Sequence, residues 1–161
     1  PEVAQGVISR RQLDAIHEQL CQTLARDGAR IDLILCCADD CPSAARKPAP
    51  GMLLDAMRRF GAKPADTPFV GDQLDDLEAA ANARCRRVLV RSGNGAKTER
   101  EGIPNTVQPI VVHDDLAAFV DAYLGKQQKR RTSNRREPPW PRKAGKVRDY
   151  RRPHRRRAAS A

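Results

Sequence analysis

Four short apolar runs, at 31–36, 68–70, 87–90 and 110–112, are separated by stretches with helical periodicity. Each run is short and apolar enough for a buried strand. Between and around them, Leu13, Ile16, Leu20 and Leu24 recur at helical intervals, as do Leu53, Leu54, Met57 and Phe60, which the second helix is expected to bury. A third helix is expected over 75–83 and a last one through Leu116, Phe119, Val120 and Leu124. Ser9 and Gln12 have the spacing of a capping box, Gly28 and Gly61 suit helix ends, and Pro50 suits a helix start. Asp114 reads as the cap of the last helix, and Ser92-Gly93-Asn94-Gly95 ends the third strand ahead of a polar loop. This alternation predicts an α/β fold, a parallel sheet with helices on both faces.

Charge divides the chain in two. Residues 1–125 hold 15 Lys/Arg against 18 Asp/Glu, and residues 126–161 hold 15 against 2. The net charges of −3 and +13 account for the total of +10, so the basic character belongs to the tail. With only Trp140, Val147 and Tyr150 as sizeable apolar groups, the tail cannot offset its ordering entropy and is expected to be disordered. The domain is therefore placed at 1–125 and a basic tail at 126–161. Arg and Lys interspersed with Trp140 and Tyr150 make nucleic acid a partner through the tail only. No apolar run is long enough to span a membrane. The five cysteines follow no apolar leader, and reduced thiols in a cytoplasmic protein are expected.

In parallel sheets of this kind ligands sit at the carboxyl ends of the strands. Gly71-Asp72-Gln73-Leu74-Asp75-Asp76 follows the 68–70 strand directly. Glycine there permits a tight turn, and the acids offer hard oxygen ligands for Mg²⁺. Asp72 is the expected metal ligand, with Asp76 secondary, orienting it or binding through water. Asp75 is read as a charge favoured by the helix N-terminus. Arg46-Lys47-Pro48-Ala49-Pro50-Gly51 follows the 31–36 strand, and its two adjacent cations suit a phosphoryl group. His17, on the first helix, and His113, before Asp114, are not expected to be ligands. Cys85 lies between Arg84 and Arg86 and is read as an ordinary thiol near a helix end.

Taken together, residues 46–54 (Arg-Lys-Pro-Ala-Pro-Gly-Met-Leu-Leu), 70–80 (Val-Gly-Asp-Gln-Leu-Asp-Asp-Leu-Glu-Ala-Ala) and 88–93 (Val-Leu-Val-Arg-Ser-Gly) resemble the heptose-bisphosphate phosphatases of the haloacid dehalogenase-like superfamily. Gln5-Gly6-Val7-Ile8 fits the stretch after that family's Thr/Ser-Asn-Gln segment. Histidinol phosphatases share these motifs. The resemblance implies a Rossmannoid parallel sheet, incomplete here at the N-terminus. It also implies removal of the 7-phosphate of heptose 1,7-bisphosphate, a lipopolysaccharide precursor, through an aspartyl-phosphate. Lys47 is then the catalytic lysine, Arg46 and Lys47 contact substrate, and Asp72 holds Mg²⁺. A monomer is expected when the domain is complete.

Two departures stand out. The family's nucleophile and acid/base come from an Asp-x-Asp, and none occurs in these 161 residues. That pair would lie upstream of Pro1, and the chain by itself is expected to be inactive. In the family's zinc loop, a Cys-x-His precedes a Cys-x-Cys. Here Cys36, Cys37 and Cys41 are too closely spaced and lack a histidine, so zinc is not expected.

Overall fold

The computed structural model describes residues 7–37, 43–133 and 146–149. Five helices and five strands alternate along them: α1 (Arg10–Arg26), β1 (Leu33–Cys36), α2 (Gly51–Phe60), β2 (Pro68–Gly71), α3 (Leu74–Asn82), β3 (Arg86–Val90), α4 (Gly95–Glu101), β4 (Ile110–His113), α5 (Leu116–Ser133) and β5 (Lys146–Asp149). The chain divides into two compact units, residues 1–46 with 142–161, and residues 47–141.

In the first unit, Ser9 caps α1 as its sequence predicts. Its hydroxyl accepts the Gln12 amide at 3.3 Å, and the Gln12 side chain accepts the Ser9 amide at 2.7 Å. Gly28, just beyond the helix, takes the left-handed φ of 73°. Ile16 and Leu20 of the apolar stripe face solvent. β1 pairs in parallel with β5, Leu33 opposite Lys146 through Cys36 opposite Asp149. β5 is a strand of four residues within the basic tail. α5 continues to Ser133. The rest of the tail, including Trp140 and Tyr150, lies outside the described residues.

The second unit is built on a parallel three-stranded sheet in the order β2-β3-β4. β3 is central and the most deeply buried, since Val88, Leu89 and Val90 have helices or neighbouring strands around them. Leu77 of α3, Leu89 and Val107 form one core cluster. Met57 of α2, Ala80, Ala83 and Cys85 form another, with Leu53 and Phe69 packed on it. Ala79 and Ala80 of α3, and Ala83 at its C-terminal cap, are buried, small side chains that let the helix pack closely on the sheet.

Local details differ from the sequence expectations. Leu54 is exposed, and Asp55 is buried in its stead, paired with Arg58 and Arg59. The cap of α5 is Asp115, whose carboxylate accepts the Ala118 amide at 2.7 Å, while Asp114 accepts from Arg91. The segment read as a polar loop contains α4, a helix without apolar periodicity. Cys37 is disulfide-bonded, contrary to the expectation of reduced thiols throughout, whereas Cys21, Cys36 and Cys85 are thiols. Cys85 is buried, and burial pushes its thiol up despite the nearby Arg87, as an ordinary core thiol requires.

Candidate active site

β2 ends at Gly71, and the chain turns at once into α3. A side chain at Gly71 would place its Cβ 2.4 Å from that of Asp76, so the turn closes only on glycine. Asp76 is buried in the first turn of α3, where one of its oxygens accepts the amides of Asp72 and Gln73, each at 3.2 Å. Its other oxygen accepts from Lys47 Nζ at 2.5 Å. The carboxylate therefore ties together the turn, the helix start and the loop that bears the lysine.

Lys47 begins the second unit, and the carbonyl of the next residue, Pro48, accepts from Asn82 Nδ2 at 2.9 Å. The loop is thus fastened to both ends of α3. Partial burial works against the Lys47 charge. The hydrogen bond to Asp76 and the charges of Asp76, Asp75 and Asp72 outweigh it and hold the ammonium above the ordinary lysine value. All three acids consequently act on one cation.

Asp72 sits at the turn itself. One carboxylate oxygen accepts the Asn94 amide at 2.8 Å, and its backbone carbonyl accepts the Thr98 hydroxyl at 2.8 Å. Its other carboxylate oxygen has no hydrogen-bond partner among the described residues. Asp75 Oδ1 is buried without a hydrogen-bond partner, a costly state for a carboxylate. That orphaned atom goes beyond the simple helix-end charge that the sequence suggested.

A hard cation suits this donor set. Mg²⁺ is commonly held by one or two carboxylates, with water and phosphate oxygens completing its shell. Among the described residues no three acidic, histidine or cysteine side chains gather into a cage. Asp72, with an oxygen to spare, fits the role of ligand. Asp76, with both oxygens engaged, fits that of an organiser. Arg46 is exposed and belongs to the other unit.

Asn82, Asn94 and Thr98 hold the site together, and the sequence reading passed over them. The signal available was position: Ser92-Gly93-Asn94-Gly95 follows the carboxyl end of β3, the strand beside the one that carries Asp72.

The HAD-hydrolase-like family model matches residues 44–119, which span Lys47 and Asp72. The D-glycero-beta-D-manno-heptose-1,7-bisphosphate 7-phosphatase of Bordetella bronchiseptica is 41% identical over 125 residues, covering 76% of this chain and 68% of that protein. The chain belongs to the heptose-bisphosphate phosphatase family of haloacid dehalogenase-like hydrolases. The Pseudomonas aeruginosa phosphatase of the same name is 36% identical over 126 residues, with coverage of 76% and 68%. A crystal structure of the B. bronchiseptica heptose-bisphosphate phosphatase, complexed with magnesium and phosphate, superposes with a TM-score of 0.70 at 40% identity. The match covers 78% of this chain and 70% of that one. By family, then, this heptose-bisphosphate phosphatase relative is a hydrolase of phosphate esters.

Proposed function

We propose that the chain carries the lysine and metal-ligand half of a Mg²⁺-dependent phosphatase site that removes the 7-phosphate from heptose 1,7-bisphosphate. The observation that carries this reading is the joint placement of Lys47 and Asp72 around Asp76 at the carboxyl end of β2. Asp72 would hold Mg²⁺, which supplies neutralisation of charge on the transferring phosphoryl group. Lys47 sets a fixed cation against the same charge, and a group already positioned needs no reorganisation as that charge develops. Asp76 aims Lys47, and Arg46 is assigned a contact to the sugar phosphate.

The phosphoryl acceptor of this chemistry is an aspartate of an Asp-x-Asp, which these 161 residues lack. A chain of these residues alone is accordingly expected to be inactive. The substrate is tested on the chain extended ahead of Pro1 with the Asp-x-Asp segment of the B. bronchiseptica phosphatase. Phosphate release should be at least about tenfold faster from heptose 1,7-bisphosphate than from histidinol phosphate. A faster reaction with histidinol phosphate would reassign the substrate.

A further inference from the structure

We propose that Thr98 is a positioning residue for Asp72, and that α4 with the loop before it forms the cradle in which that carboxylate is set. The inference rests on Asp72 as the metal ligand of the proposed function. Thr98 lies inside a helix, where a threonine hydroxyl commonly bonds back to its own helix backbone. Here it donates instead to the carbonyl of Asp72, at 2.8 Å. The Asn94 amide grips the same residue at Oδ2, also at 2.8 Å. One bond restrains the Asp72 backbone and the other its carboxylate, which leaves the remaining carboxylate oxygen with a defined direction.

The surrounding shape agrees with this role. Gly93 has φ of 65°, and a Cβ there would lie 2.4 Å from Asp72 Oδ2, so the carboxylate occupies the space of a side chain. A Cβ at Gly95 would lie 1.7 Å from the Val90 carbonyl oxygen, so α4 starts flush against the end of β3. Arg91 braces α4 from outside through Glu99 at 2.7 and 3.0 Å, and reaches Asp114 at 2.7 Å. Of the seven residues of α4, only Gly95 is buried, so apolar packing does not explain why the helix is held there. Among the described residues, its side-chain polar contacts to the rest of the unit are the Glu99 pair with Arg91 and the Thr98 bond to Asp72.

The test compares Thr98→Val, which keeps the shape and loses the donor, with Thr98→Ser, which keeps the donor, in the full 161-residue chain. The first readout is hydrogen exchange at the Asn94 amide, with the amides of β3 as internal control. Thr98→Val should speed exchange at Asn94 by about five- to tenfold while β3 is unchanged, and Thr98→Ser should stay near wild type. Unchanged exchange at Asn94, or an equal rise throughout β3, overturns the proposal. The second readout is Mn²⁺ affinity by electron paramagnetic resonance, with Asp72→Asn as reference. Thr98→Val should weaken Mn²⁺ binding by about five- to tenfold and Thr98→Ser should restore it. Equal Mn²⁺ binding by wild type and Asp72→Asn would refute Asp72 as the ligand, and the exchange result then decides the cradle by itself. Wild-type affinity in Thr98→Val, with Asp72→Asn impaired, overturns the positioning role alone.

Discussion

Asp76 accepts the Lys47 ammonium and the amides of Asp72 and Gln73 from a buried position. Replacement by alanine strands all three donors at once, whereas loss of Lys47 strands only one oxygen. Asp76→Ala should therefore cost about 2–4 kcal/mol, and Lys47→Met clearly less, in urea unfolding. Equal losses would show that the amide contacts add nothing. Glu99 offers a test by pH. The hydrogen bond from Arg91 holds its carboxyl below the ordinary glutamate value. A lowered folded-state value means stability that is present above the unfolded value and lost as pH falls through the folded one. The stability gap between wild type and Glu99→Gln should thus be open at neutral pH and close below about pH 4. A gap independent of pH would contradict the pairing.

Within the elements, the turn from β2 into α3 leaves no room for a side chain at Gly71. Gly71→Ala should cost about 3 kcal/mol and displace Asp76, read as lower urea resistance together with faster exchange at the Asp72 and Gln73 amides. Wild-type stability would show that the turn has room. This turn was legible in the sequence, because a short apolar strand running straight into Gly-Asp leaves few other conformations. So were α1, whose start is written in Ser9 and Gln12, and α2, closed by Gly61 in the left-handed region. α4 was not. Gly95-Ala96-Lys97-Thr98-Glu99-Arg100-Glu101 has no apolar repeat, and its helix is anchored by the ion pair to Arg91 and by Asp72, partners outside the helix. The cap of α5 was misplaced by one residue for the same reason, since Asp114 is taken by Arg91 from another strand end.

On the scale of the whole chain, alternation of strands and helices sufficed to foresee parallel pairing, and the strand-end rule singled out Lys47 and Asp72, both of which bond to Asp76. The pairing of β1 with β5 could not be read that way. Residues 146–149 (Lys-Val-Arg-Asp) hold a single apolar side chain, and their strand is defined by backbone hydrogen bonds that leave no periodic trace. The central claim is that the chain supplies a lysine and a metal ligand to a phosphatase site whose nucleophile lies on an Asp-x-Asp. Its direct test is phosphate release from heptose 1,7-bisphosphate in Mg²⁺. The 161-residue chain is compared with the chain extended by the Asp-x-Asp segment of its B. bronchiseptica relative. Background release is expected from the former and turnover from the latter. Lys47→Ala or Asp72→Asn should lower this turnover by about a hundredfold or more. Steady release from the 161 residues alone, or full turnover in the extended Asp72→Asn chain, would contradict the claim.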